Sequence, residues 1–154
     1  MNYYQKKVFL HHAASGECYT QEECASKVRS FQDYHQNSNG WCDIGYNFLV
    51  GGNGDVFEGR NFLAQGAHTK GFNDVAYGFC FIGNYMDRLP SPAALDSMNK
   101  LIECGIENGF IGEEYQLHGH RQNWLSKTEC PGDQLFEYMK SMPNYQCWRG
   151  SVET

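Results

Sequence analysis

Tyr46-Asn47-Phe48-Leu49-Val50-Gly51-Gly52-Asn53-Gly54-Asp55-Val56-Phe57-Glu58 is the stretch on which the fold turns. Two apolar runs flank a glycine-rich centre, and glycine reaches the positive φ that hairpin turns demand. The stretch therefore predicts an antiparallel hairpin in the middle of the chain. On its N-terminal side, Lys7-Val8-Phe9-Leu10-His11 is a short apolar run of the kind that forms a buried strand. It leads into a loop, His12-Ala13-Ala14-Ser15-Gly16. Thr20-Gln21-Glu22-Glu23 then has the capping-box pattern, and Cys24, Val28, Phe31 and His35 follow at helical spacing. A helix of roughly 15 to 18 residues is expected, stopped by Asn37-Ser38-Asn39-Gly40.

On the C-terminal side, Tyr77-Gly78-Phe79-Cys80-Phe81-Ile82-Gly83 predicts a second buried strand. Ser91 as N-cap and Pro92 at the first helical position open a helix. Its stripe is Leu95, Met98, Leu101, Ile102 and Ile106, and Gly109 ends it. Tyr115-Gln116-Leu117-His118 predicts a short strand. Pro131 to about Met142 predicts a third helix, with Leu135 and Met139 inward and Pro143 beyond it. Strands and helices that interleave around a hairpin predict an α/β fold, a central mixed β-sheet flanked by three helices.

Composition narrows the class. The chain has 154 residues, a length for one domain spanning 1–154, and no fixed-period repeat or linker divides it. Twelve Lys and Arg against 18 Asp and Glu give a net charge of −6, which argues against a nucleic-acid partner. Hydrophobic residues are 41% and charged residues 19%, a composition that folds. No apolar run approaches the ~18 residues of a membrane span. Met1 to Lys7 carries neither an apolar core nor a small-residue cleavage site, so it is not a signal peptide. Seven cysteines point to an oxidising compartment, and the odd number leaves at least one thiol free or bound to something other than sulfur.

Three segments carry candidate chemistry: His11-His12 at a strand end, His120 after another strand, and Cys130-Pro131-Gly132 before a helix. Imidazole and thiolate are ligands that Zn²⁺ prefers, and two His with one Cys leave a fourth position for water. Spacing alone leaves the alternative open, in which His11 is a core histidine and Cys130 a disulfide partner.

The wording around these residues resembles the peptidoglycan recognition proteins. Those share a fold with zinc-dependent N-acetylmuramoyl-L-alanine amidases, including small phage amidases. The resemblance rests on His11-His12-Ala13-Ala14 and on Gly40-Trp41-Cys42-Asp43-Ile44-Gly45-Tyr46-Asn47-Phe48-Leu49-Val50-Gly51. It continues through Phe57-Glu58-Gly59-Arg60, Gly66-Ala67-His68-Thr69, Gly83-Asn84-Tyr85-Met86-Asp87-Arg88, Gly119-His120-Arg121 and Thr128-Glu129-Cys130-Pro131-Gly132. It implies one Zn²⁺ on His11, His120 and Cys130, with Tyr46 and Thr128 as accompanying catalytic residues. Family members that lack the cysteine bind peptidoglycan without cutting it, so Cys130 favours an enzyme over a non-catalytic recognition module. His118, on the same side of the predicted strand, is the alternative to His120, because the stretch from His120 to Cys130 is about two residues longer than the family pattern. A longer loop can bulge without moving its ends.

The resemblance also implies substrate residues. Diaminopimelate-type binders carry Gly-Trp before the DIGY segment and an Arg in the EGR segment, here Gly40, Trp41 and Arg60. An arginine suits the extra carboxylate of diaminopimelate. His35, His68 and Asn73 are further groove candidates. Asn61-Phe62 stands where many members have Gly-Trp. A Cys18–Cys24 disulfide is implied, with Cys42 and Cys104 free and Cys80 a small buried hydrophobe. The implied protein is a secreted monomer that acts on bacterial peptidoglycan and muropeptides in antibacterial, innate immunity.

Overall fold

The computed structural model describes residues 4–147. A five-stranded sheet in the order β3-β2-β4-β1-β5 is formed by β1 (Gln5–His12), β2 (Phe48–Val50), β3 (Val56–Glu58), β4 (Ala76–Phe81) and β5 (Ile111–Gly119). β1 runs parallel to β4 and β5, β2 runs parallel to β4, and β2 pairs antiparallel with β3. The mixed sheet follows from the chain: the Gly51–Gly54 turn allows the antiparallel pair, and helical crossovers allow the parallel ones.

The helices are α1 (Gln21–Asn37), α2 (Pro92–Glu107) and α3 (Asp133–Met139). Thr20 caps α1 by accepting from the Glu23 N–H at 3.1 Å, and Ser91 caps α2 by accepting from the Ala94 N–H at 3.1 Å. Strand alternation divides the core into two faces. Val8 and Leu10 of β1 and Tyr77, Phe79 and Phe81 of β4 pack with Met98, Leu101 and Ile102 of α2 and Leu135 and Met139 of α3. On the other face, Leu49, Cys80 and Ile82 pack with Cys18, Cys24, Val28 and Phe31 under α1. Cys18 and Cys24 are joined by a disulfide.

Two elements differ from the expected ones by more than two residues at an end. β5 begins at Ile111, four residues before the expected Tyr115, because Gln5 of β1 pairs with Ile111 across a register shift. Helix α3 spans seven residues and not the twelve from Pro131 to Met142. Gly132 holds φ of +100°, outside helical space, and the N–H groups of Gln134 and Leu135 are taken by the Tyr85 carbonyl at 3.1 and 3.4 Å. At the far end, Met142 N–H returns to the Met139 carbonyl in a turn.

α1 and α2 lie on opposite faces, so the connections that leave β1 and β4 part company. A crevice opens outside the carboxyl ends of such strands, where ligands bind in open α/β sheets. His11 and His12 end β1 there, and His120 follows the end of β5.

Candidate metal centre and cleft

Three segments far apart in sequence converge at that edge. The His11 Nδ1 atom lies 3.2 Å from His120 Nδ1 and 3.7 Å from Cys130 Sγ. All three ligand atoms lie within 4.8 Å of one another. Tetrahedral zinc with ordinary Zn–N and Zn–S bonds has N···N edges of about 3.3 Å and N···S edges of about 3.6 Å. The two separations from His11 Nδ1 match those edges, so the donor set fits a zinc ion.

The backbone explains the convergence. Tyr85 N–H donates to His12 Nδ1 at 3.1 Å, while the Tyr85 carbonyl accepts the first N–H groups of α3. A Cβ on Gly132 would stand 2.4 Å from the Tyr85 carbonyl atoms, so only glycine lets the Cys130-Pro131-Gly132 segment pass so close. Cys130 Sγ then accepts the His12 N–H at 3.3 Å. Arg121 holds the other side: its backbone N–H donates to the Cys130 carbonyl at 2.8 Å, and its guanidinium pairs with Asp133 at 2.9 Å.

Burial sets the charge state. It lowers His11 well below the usual histidine range, assisted by His120, and brings His120 down to about 4. Burial also pushes the Cys130 thiol up to about 12, outweighing the His12 N–H and the Arg121 guanidinium, which both lower it. Without metal the site is therefore neutral, two imidazoles and a protonated thiol, and a divalent cation would bind there by displacing the thiol proton.

A cleft of about 390 Å³ opens over these atoms, lined by His12, Ala14, Tyr46, His120, Thr128, Glu129 and Cys130. The Tyr46 ring is 5.3 Å from the His11 ring. Burial, with the thiols of Cys80 and Cys130 beside it, holds its phenol well above the usual tyrosine value, so it remains a donor. Thr128 Oγ1 accepts the Cys130 N–H at 3.1 Å. Beyond Tyr46 an aromatic wall continues through His35, 5.9 Å away, to Trp41, 4.9 Å further between ring centres. His35 is fixed by the Gly45 N–H, which donates to its Nδ1 at 2.9 Å. Gly40 has φ of +72° and its Cβ direction is open.

Other expected groove residues have different surroundings. Arg60 donates from Nε, Nη1 and Nη2 to the carbonyls of Ile44, Gln65 and Asp43, at 2.8, 2.8 and 3.1 Å. It clamps the backbone on both sides of the β2–β3 hairpin, with two of its five N–H groups left over. His68 is 8% exposed, with its Nδ1 3.3 Å from His11 Nε2. Asn73 is turned to the backbone, its Oδ1 accepting the N–H groups of His68 and Thr69 at 2.8 Å each. Phe62 packs against Phe48, Tyr77, Phe79 and Phe110 on the α2 side of the sheet.

His118 keeps the side of the sheet expected for it but sits one layer down. It pairs in register with Phe9 of β1, their rings 5.3 Å apart, and it is fully buried. The long segment after His120 bulges outward, with Trp124 and Leu125 exposed, while buried Asn123 ties it to the Lys70 carbonyl at 2.9 Å. Sequence reasoning missed Thr69 and His12. Thr69 is fully buried with Oγ1 3.2 Å from His11 Nε2, and its only signal was its place beside His68 in the matched Gly66–Thr69 segment.

Comparison with known proteins agrees with this geometry. The profile of the N-acetylmuramoyl-L-alanine amidase family matches residues 2–133. Mouse peptidoglycan recognition protein 1 is 40% identical over 140 residues, covering 90% of this chain and 76% of the mouse protein. Human N-acetylmuramoyl-L-alanine amidase is 41% identical over 141 residues, covering 90% of this chain and 24% of the human protein. The structure of peptidoglycan recognition protein-LE in complex with tracheal cytotoxin, a monomeric diaminopimelic acid-type peptidoglycan, superimposes with a TM-score of 0.89 at 37% identity, covering 92% of this chain and 82% of that one. With the profile and these identities spanning most of its length, the chain belongs to the peptidoglycan recognition proteins of the N-acetylmuramoyl-L-alanine amidase family.

Proposed function

We propose that this chain is a zinc-dependent amidase that hydrolyses the bond between the muramic acid lactyl group and L-Ala of the stem peptide. The observation that carries the reading is the spacing of His120 Nδ1 and Cys130 Sγ from His11 Nδ1, which matches tetrahedral zinc edges, beneath a cleft that also holds Tyr46 and Thr128. A bound Zn²⁺ supplies Lewis acidity and lowers the pKa of water to near neutrality. The remaining tasks fall to the chain itself. His11 and His120 offer neutral imidazole lone pairs, and Cys130 its sulfur. Tyr46, kept protonated, donates its hydroxyl to the amide oxygen as negative charge develops there. Thr128 has its oxygen held by the Cys130 N–H, and its own hydroxyl proton stays available to orient water or the tetrahedral intermediate.

The stem peptide lies along the wall of His35 and Trp41, and open Gly40 lets the two backbones approach. The two spare N–H groups of Arg60 meet the extra carboxylate of a diaminopimelate side chain, which the complex of the related LE protein makes a reasonable substrate class. The Cys18–Cys24 disulfide supports an extracellular setting. The family supports an antibacterial, innate-immune task, and the working form in this proposal is a monomer.

Protein purified without chelator is expected to hold about one Zn²⁺ per chain and to release stem peptide from muropeptides. Cys130→Ser should lose cleavage while still binding peptidoglycan. Cleavage by Cys130→Ser at the native rate would overturn the reading. A native protein that binds peptidoglycan, carries no metal and cuts nothing would make the chain a non-catalytic recognition module.

A further inference from the structure

Behind the ligand atoms, the protons of three groups can be assigned one after another, starting from a carbonyl that can only accept. The Ala76 carbonyl lies 3.3 Å from His68 Nε2, so Nε2 carries the proton and His68 Nδ1 is a bare acceptor. The Thr69 hydroxyl lies 2.8 Å from that Nδ1 and is its nearer donor, His11 Nε2 standing at 3.3 Å, so the hydroxyl proton is assigned to it. With its proton committed, Thr69 Oγ1 can only accept from His11 Nε2, 3.2 Å away. His11 Nε2 therefore carries the ring proton, and His11 Nδ1 presents its lone pair between His120 Nδ1 and Cys130 Sγ.

We propose that Thr69 is a positioning residue which, with His68 and the Ala76 carbonyl, fixes the tautomer and orientation of His11. The inference deepens the zinc reading and rests on it for its purpose. Metal-bound histidines are held by an acceptor on their second nitrogen, and loss of that acceptor typically weakens metal binding about 10- to 100-fold. Here the acceptor is a hydroxyl whose direction is dictated by a second histidine.

The surroundings are shaped for this relay. Asn73 Oδ1 collects the backbone N–H groups of both His68 and Thr69, which bends the loop so that both side chains face His11. The relay is fully buried at Thr69 and nearly so at His68, so water does not compete for its hydrogen bonds. Gly78 leaves the space that the His68 ring fills.

The test has two parts. Long-range ¹H–¹⁵N spectra of metal-free native protein should show His11 and His68 both protonated at Nε2. His11 protonated at Nδ1 would overturn the proposal without any variant. Zinc affinity, read by competition with a chromophoric chelator, should fall about 10- to 100-fold in Thr69→Val and stay within roughly threefold of native in Thr69→Ser. Equal affinity for Thr69→Val and native protein would also overturn it. If native protein takes up no zinc while His11 is the Nε2–H tautomer, the amidase reading fails and the relay stands.

Discussion

Gly78→Ala places one methyl group where the fold has no room for it. A Cβ at position 78 would lie 2.2 Å from His68 Cγ and 2.5 Å from its Cδ2 and Nδ1. Ordinary contact begins near 3.4 Å, so the ring must retreat by 3.4 − 2.2 = 1.2 Å or the strand must move. The strand is held: the Gly78 N–H donates to Asn47 Oδ1 at 2.8 Å, and its carbonyl accepts the Asn47 N–H at 2.9 Å. The ring is the softer partner, but a retreat of that size along its 2.8 Å bond to Thr69 breaks the bond. Overpacking of this kind costs about 1–3 kcal/mol. Gly78 is not at positive φ, so alanine also restricts the unfolded chain and returns about 0.4–1 kcal/mol. The net expectation is a loss of about 1–2 kcal/mol, a fall in melting temperature of roughly 2–8 °C for a domain of this size. Zinc affinity should fall with it, because the displaced ring no longer directs Thr69. Thermal melts of the metal-free proteins and chelator competition measure the two effects. A variant that melts at or above the native temperature and binds zinc equally well would refute the packing argument.

His120→Ala should lose zinc, whereas His118→Ala, one layer down beside Phe9, should keep one zinc per chain at some cost in stability; metal analysis of both variants decides, and retained zinc in His120→Ala would reassign the ligand. His12, His68 and His120 have pKa values of about 4, 3 and 4 in the fold against 6.5 in the unfolded chain. As pH falls through 6.5 the unfolded chain takes up protons that the fold refuses, so stability is full above that pH and declines toward 4, at most about 1.4 kcal/mol per pH unit for each histidine. The urea midpoint of metal-free protein should therefore drop between pH 7 and 5, and a flat or rising midpoint contradicts the burial of these rings. Native protein should cleave diaminopimelate-type muropeptides roughly ten- to a hundred-fold faster than lysine-type ones. Arg60→Lys should lose that preference together with the order of the backbone at Asp43, Ile44 and Gln65, and equal native rates on both substrates would remove Arg60 from the groove.

The features legible in the sequence were those whose cause is local. The Thr20–Glu23 capping box, the Ser91-Pro92 helix start and the Gly51–Gly54 turn each act within a few residues, and each is where the pattern placed it. The apolar run of residues 7–11 is likewise strand, and its alternation in the fold turns Val8 and Leu10 to one face and His11 to the other. The matched segments named His11, His120 and Cys130, but nothing local says that they meet. β5 was read too short because Gly112, Glu113 and Glu114 break the apolar run, while its pairing with Gln5 is a contact across the sheet. α3 was read too long because apolar spacing continues past Met139, while its start is set by Tyr85, more than forty residues earlier in the chain. His68 and Arg60 carry polar side chains that a sequence places at the surface or in a groove. Only the fold supplied what makes their positions tenable: the bare Cα of Gly78 beneath one ring and three unpaired carbonyls around one guanidinium. Periodicity and capping follow from hydrogen bonds between near neighbours. Ligand geometry and proton direction depend on partners 57, 58 and 109 residues apart, which are adjacent only once the sheet has formed.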